Sequence, residues 1–173
     1  MNHSYRTIVS LHDLLVLDSR KLAEAESWLE KAIPAWSAKA ASARLKEVLI
    51  EYLVSIHRNK AAMENFFINE SAAIPITASS DVIRSFIEEI NHKLQACADP
   101  EIADACLLSS IQEINHYKIS MYGTAASFAN TLGLNLAAGV FYKAENDEKD
   151  IDFLLTQLAE RTINEIAKAP LIR

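Results

Sequence analysis

Residues 112–124 read QEINHYKISMYGT. Within this stretch Asn115, Lys118 and Tyr122 recur at intervals of three and four residues, the spacing of one face of a helix. The same spacing reaches apolar or small residues on either side, namely Leu108, Ile111 and Ala125. Such a face is typical of a helix packed in a core, yet an amide and an ammonium stand at its centre. The stretch therefore predicts a helix bundle with polar groups in its interior.

Three further segments show the same face, apolar toward both ends and polar near the middle. On the same spacing they contain Leu15, Ser19, Leu22, Glu26, Leu29 and Ile33; Leu45, Val48, Tyr52, Ser55, Asn59, Ala62 and Phe66; and Leu134, Ala137, Phe141, Ala144, Glu148, Ile151 and Leu155. Helices packed side by side bring their mid-length positions to a similar depth. We therefore expect the polar positions of the four faces to meet in one layer.

The chain has only three glycines and four prolines, which indicates an all-α protein. We expect a first long helix from about residue 7, ended by Pro34 and the small residues SAKAAS (37–42), and a second at about 43–69. A loop, SAAIPITASS (71–80), precedes a shorter helix over 81–98 that Ser80 caps.

Asp99, Pro100 and Glu101 form a strong helix start for the third long helix, which runs to about Leu132. Gly133 supplies the residue after its end, and a fourth long helix follows at about 135–164. The economical arrangement is a four-helix bundle whose crossover contains the loop and the short helix. Residues 1–173 are expected to form a single domain.

Composition excludes several classes of function. The net charge is −6, the pI is about 5.4, and lysines and arginines are scattered, which argues against nucleic-acid and anionic membrane partners. No apolar run has the length of a membrane span, and the start lacks the pattern of a secretory signal, so we expect a cytoplasmic protein. Cys97 and Cys106 fit no metal or CxxC pattern and are expected to be reduced thiols with a packing role.

Glu26 and Glu148 pose an energetic problem if they face one another in this layer. A buried carboxylate must be paired, protonated or bound to a metal, because its desolvation costs several kcal/mol. Two candidates can supply the positive charge: a metal ion or Lys118. The alternative is that one or both glutamates reach solvent at the bundle edge and that the polar residues only set the register of the helices.

Four motifs carry a resemblance to a known family. They are AESWLEKAIPA (25–35), YLVSIHRNKAAMENFF (52–67), INHYKISMYGTAASFANTLG (114–133) and NDEKDIDFL (146–154). Over nearly its whole length the chain resembles the YciE/YciF-like family of ferritin-like bacterial proteins, which is associated with stress responses. The resemblance implies a ferritin-like bundle and a homodimer formed along helix faces. In ferritin-like proteins two iron or manganese ions are held in the bundle core.

The resemblance also assigns positions to the metal ligands. If a metal binds, the matching ligands are Glu26, His116, Glu148 and Asp152. The family's other acids and one of its histidines are replaced here, by Tyr52, Ser55, Asn115 and Lys118. Hard metal ions depend on anionic oxygen ligands, so these replacements disfavour the site.

Our interpretation is that Lys118 substitutes for the metal and neutralises Glu26 and Glu148, while Ser55, Asn59 and Asn115 complete the hydrogen bonds. No cofactor is then expected, and the protein is interpreted as a non-catalytic, stress-associated structural or interaction protein. The alternative is a di-iron or manganese oxidoreductase, or an iron-binding protein, with a rearranged site. A third hypothesis is a helical binding module, with an unknown protein partner, whose polar layer only sets the register of the helices.

Overall fold

The computed structural model describes residues 7–69 and 81–168. Five helices dominate this part of the chain: α1 (Leu11–Lys39), α2 (Ala43–Asn69), α3 (Asp81–Ala96), α4 (Pro100–Thr131) and α5 (Asn135–Leu158). A π-helical segment, Ala159–Ile163, and a short α6 (Asn164–Ala167) continue from α5. No strand occurs among these described residues, so the all-α prediction is confirmed. The loop at 71–80 and its capping Ser80 lie outside them.

Side-chain and glycine caps define the ends of α4 as the sequence predicts. The Asp99 carboxylate accepts a hydrogen bond from the Ile102 amide at 2.8 Å, and Pro100 is the first helical residue. At the other end Gly133 adopts a φ of 73°, in the left-handed region that favours glycine. The amide of Leu134 then donates to the carbonyl of Ala129 at 2.9 Å, which closes the helix.

Helix α1 begins later than predicted and ends within the small-residue segment 37–42, as the sequence predicts. It begins at Leu11, where the Ser10 hydroxyl accepts from the Asp13 amide at 3.0 Å, and it continues through Pro34 to Lys39. Proline removes one helical hydrogen bond, so continuation requires packing on both sides. Trp36 supplies this packing, because its ring is buried and its Nε1–H donates to Asn91 Oδ1 of α3 at 3.1 Å. Trp36 is therefore a core residue.

The helix directions follow from a contact at one end of the bundle. Asp104, near the start of α4, is buried and accepts from the amides of Ala41 at 2.9 Å and Ser42 at 2.7 Å. The turn between α1 and α2 therefore lies beside the beginning of α4. From this end α2 and α4 run in the same direction, with α1 and α5 opposed to them. The segment that joins α2 to α4 is thus a crossover, and it includes α3, which packs against α1 and α4.

The interior contains two apolar clusters that follow one another along the bundle. One lies toward the α1–α2 turn and includes Trp36, Leu45 and Leu155. The other lies toward the α4–α5 turn and includes Phe66 and Phe141. Buried polar side chains occupy the positions between these clusters on all four long helices: Glu26, Ser55, Asn59, Asn115, Lys118 and Glu148. This layer is the region in which a function would be sought in a ferritin-like bundle.

Candidate functional site

The centre of the polar layer is an ion-pair cluster formed by three helices. Lys118 of α4 places Nζ 2.8 Å from Glu26 Oε2 of α1 and 2.6 Å from Glu148 Oε1 of α5. None of the three side chains exposes any surface. Nζ also donates to the hydroxyl oxygen of Tyr52 at 3.2 Å. The ammonium thus donates to Glu148 and Tyr52 and contacts Glu26 as an ion pair, so its buried charge has anionic partners on two helices.

Two tyrosine hydroxyls and one amide satisfy the outer oxygens of the carboxylates. Tyr52 donates to Glu148 Oε2 at 2.9 Å, and Tyr122 donates to Glu26 Oε1 at 2.5 Å. Asn115 Nδ2 donates to Glu148 Oε2 at 2.8 Å and to the backbone oxygen of Glu148 at 3.0 Å. Each of these bonds joins two different helices. The cluster therefore ties the centres of all four long helices together.

The cluster carries one more negative than positive charge when both acids are ionised. Burial raises the pKa of Glu148 to about 7, against the lowering effect of Lys118, and the charge of Glu26 raises it further. For Lys118 burial alone lowers the pKa, but the carboxylates of Glu148 and Glu26 outweigh it and raise the pKa above its ordinary value. Lys118 is thus a permanent cation, and Glu148 is the group that takes up a proton near neutral pH.

The two tyrosines act as neutral donors. Burial, followed by the charge of Glu148, raises the pKa of Tyr52 well above its ordinary value. Burial and the charge of Glu26 do the same for Tyr122. Both hydroxyls therefore keep their protons under all physiological conditions. Sequence reasoning placed these rings in the core but did not assign their hydroxyls to the acids.

Ser55 and Asn59 are buried in the layer but, in the part of the chain that the structure describes, form no hydrogen bond with the ion pairs. The Ser55 hydroxyl accepts from Arg58 Nη2 at 3.5 Å, which directs it toward the surface. Asn59 Nδ2 has no hydrogen-bond partner among the residues that the structure describes. Their predicted role as donors to the carboxylates is thus filled by the tyrosine hydroxyls. The tyrosines reach further into the bundle because their side chains are longer.

The two remaining residues of the proposed metal set lie on the surface. His116 Nε2 is 3.0 Å from Asp152 Oδ1, and the His116 side chain is 66% exposed. This pair bridges α4 and α5, but the structure does not bring it together with Glu26 and Glu148. Among the described residues no group of three or more His, Cys, Asp or Glu side chains is placed to hold a metal ion.

The residues present therefore do not fit a di-metal centre. The inner oxygens of Glu26 and Glu148 already contact the Lys118 ammonium, so a divalent cation between them would lie against a like charge. The neighbouring donors are hydroxyls and one amide, which add no anionic ligand. As it stands, this arrangement can fix the four helices relative to one another and bind or release a proton.

Fold and site together define a ferritin-like helical bundle whose interior holds an ion-pair cluster. The chain belongs to the family described as a domain of unknown function, DUF892, whose sequence model matches residues 10–168. This match covers all four long helices and the complete cluster.

The chain is also similar to named proteins in sequence and in structure. Protein YciF of Escherichia coli (strain K12) is 27% identical over 144 residues, which cover 83% of this chain and 87% of that protein. The crystal structure of the E. coli stress protein YciF superimposes with a TM-score of 0.84 at 24% identity, covering 91% of this chain and 99% of that one. YcfI of Rhodopseudomonas palustris gives a TM-score of 0.82 at 25% identity, with coverages of 87% and 96%.

The described helices do not have the character of membrane spans. None of them combines sufficient length with a sufficiently apolar composition to cross a bilayer.

Proposed function

We propose that this protein is a non-catalytic member of its family, in which the ammonium of Lys118 takes the place of metal ions and the bundle serves a structural, stress-associated role. The observation that carries the proposal is the position of Lys118 Nζ, within 2.8 Å of both glutamates and without solvent exposure. An ammonium so placed supplies the positive charge that two buried carboxylates require.

The stress-associated role rests on relatedness. The similar E. coli protein is described as a stress protein, and the family resemblance includes this association. A cytoplasmic location is the second part of this proposal. Expression of a tagged copy, followed by fractionation before and after osmotic or oxidative stress, tests both parts. A protein that is constant in amount under every stress would contradict the first, and recovery in the membrane fraction would contradict the second.

We further propose a homodimer formed along helix faces, as the resemblance implies. Helix α2 offers a candidate face, since Ile50 and Val54 lie one turn apart and are 56% and 58% exposed. Light scattering coupled to size exclusion should give twice the chain mass. A variant with Ile50→Glu and Val54→Glu should elute as a monomer. A wild-type mass equal to one chain would contradict the proposal.

Metal analysis tests the role of Lys118. Purified protein is incubated anaerobically with Fe²⁺ or Mn²⁺, desalted and analysed by elemental mass spectrometry. The proposal expects metal far below one ion per chain. Stoichiometric metal that is lost in Glu26→Gln would overturn it and favour the oxidoreductase or iron-binding alternative.

Lys118→Glu sharpens the same experiment. This change removes the cation and adds a third buried acid, so the variant should either lose stability without metal or bind metal that stabilises it. Lys149→Glu is the matched control, because it makes the same charge change at a half-exposed position of α5. If Lys118→Glu has the stability and metal content of the control, Lys118 does not take the place of a metal.

A further inference from the structure

The outward face of α2 has a spacing that is the same in both directions along the helix. Six exposed residues recur on it at intervals of four, three, four, three and four positions. They are Ala43, Glu47, Ile50, Val54, His57 and Ala61. Two branched apolar residues thus stand at the centre, one polar residue stands on either side of them, and one alanine stands at each end. A second copy of this face can therefore pack against it in the opposite direction.

A groove beside Ile50 continues this face toward α1. Its volume is about 420 Å³, and its walls include Ile33 and Pro34 of α1 and Leu49 and Ile50 of α2. Ile50 lines the groove and, together with Val54, forms the exposed centre of the face. Apolar surface of this kind gains stability when a partner removes it from water.

The charges on α2 decide the direction of pairing. Glu47 and Arg58 are eleven residues apart, so they lie within about 20° of one another around the helix. Their side chains are 60% and 48% exposed. A parallel pair of α2 helices would place each charge at the level of its own copy. An antiparallel pair with a two-fold axis between Ile50 and Val54 instead places Glu47 beside the partner's Arg58, so opposite charges meet.

We propose that two copies of this chain associate through α2 in antiparallel directions, with the two-fold axis between Ile50 and Val54. Ile50 then contacts the partner's Val54, and each Glu47 pairs with the partner's Arg58. The small side chains near the two ends of the face allow the helices to approach closely. This inference rests on the proposed homodimer and specifies its geometry.

The neighbouring charges are compatible with this arrangement. Glu51 lies close to the two-fold axis in both copies, and Arg44, 3.8 Å from it in the same chain, offsets the repulsion between the two acids. On the other flank the partner's Lys46 approaches His57. The Nε2 atom of His57 lies 3.1 Å from the carboxylate of Glu30, so an acid also faces this lysine.

The experiment exchanges the two charges of the pair. Dissociation constants of the dimer are measured by analytical ultracentrifugation for wild type, Glu47→Arg, Arg58→Glu and the double variant. Each single change brings like charges together twice in the dimer, so we expect it to raise the dissociation constant about tenfold or more. The double variant restores opposite charges and should return to within about threefold of wild type.

Glu88→Arg is the matched control, because it makes the same charge change at an exposed position of α3, and its dimer should dissociate as wild type does. Arg58→Glu also removes the contact of Arg58 with Asp147 at 2.7 Å. The double variant lacks this contact as well, so recovery of its affinity reports the pairing alone.

The possible outcomes separate this inference from the homodimer itself. A wild-type mass equal to one chain would overturn both. A wild-type dimer that neither single change weakens, or whose affinity the double variant does not restore, would overturn the antiparallel pairing through α2 and leave the homodimer in place.

Discussion

The Nζ atom of Lys118 lies 2.6 Å from Oε1 of Glu148, although the two residues belong to different helices and neither side chain is exposed. A buried ion pair of this kind has a small net effect on stability, since desolvation of both charges offsets their attraction. Removal of one partner is different, because it leaves an uncompensated charge in the interior. Glu26 pairs a second carboxylate with the same ammonium, so removal of Lys118 would leave two buried carboxylates without a cation.

Lys118→Met should therefore destabilise the protein by about 3–5 kcal/mol at neutral pH, since two buried carboxylates lose their cation. Urea unfolding followed by circular dichroism measures the effect. Lys149→Met is the matched control, because Lys149 pairs with Glu145 at 2.5 Å but is half-exposed. Its cost should stay within about 0.5 kcal/mol. Equal effects of the two substitutions would show that the buried pairs have no special energetic weight.

Tyr122→Phe should cost more than Tyr52→Phe. Glu26 Oε1 accepts from the Tyr122 hydroxyl, whereas Glu148 Oε2 accepts from Asn115 as well as from Tyr52. Loss of the Tyr122 hydroxyl thus leaves a buried charged oxygen unsatisfied, at about 2–3 kcal/mol, and loss of the Tyr52 hydroxyl costs about 1 kcal/mol. Chemical unfolding of both variants tests the order, and a reversed order would contradict the assignment of donors.

Glu148→Gln should change the pH dependence of stability. The folded-state pKa of Glu148, about 7, lies above the ordinary value of 4.5, so the folded protein binds more protons than the unfolded chain between these values. The contribution of Glu148 to the free energy of unfolding therefore falls by about 3 kcal/mol as the pH rises from 4.5 to 7. Glu148→Gln lacks this titrating group, so its free energy of unfolding relative to wild type should rise by about 3 kcal/mol between pH 4.5 and pH 7.

Free energies of unfolding for wild type and Glu148→Gln, measured in parallel at several pH values, give this difference directly. All other titrating groups are common to both proteins and cancel to a first approximation. A difference that stays constant from pH 4.5 to pH 7 would show that Glu148 ionises normally in the folded protein.

Asp104→Ala should cost about 2 kcal/mol, because the buried carboxylate satisfies two amides in the α1–α2 turn. Asp104→Asn should cost less, since the amide oxygen can still accept one of the two bonds. Thermal unfolding of both variants checks the order. If Asp104→Ala leaves Tm unchanged, the contact between the turn and α4 does not contribute to stability.

The sequence predicts the helices and the depth of the polar residues well, because both depend on spacing along one helix. Gly133 and the Asp99–Pro100 pair mark the ends of α4 by local backbone chemistry. The positions of Lys118 and Glu148 on core faces follow from the three–four spacing alone. The continuation of α1 through Pro34 could not be predicted in this way, since packing of Trp36 against another helix overrides a local preference.

The hydrogen-bond partners within the layer could not be read from spacing. A face shows which residues point inward, but the partner of a hydroxyl depends on helix rotation and on side-chain length. The structure thus assigns the acids' outer oxygens to Tyr52 and Tyr122, where the sequence suggested Ser55 and Asn59. Asp104 was missed for the same reason, because it caps a turn 62 residues earlier in the chain.

Sharing of one ammonium between two carboxylates has a consequence for the way this protein can diverge. Position 118 cannot lose its ammonium alone, because two carboxylates would then remain without a cation in a dry interior. Homologues that lack this lysine should therefore also lack the acids at positions 26 and 148 or supply another cation between them. Alignment of many homologous sequences would reveal this as covariation among columns that lie far apart in the chain.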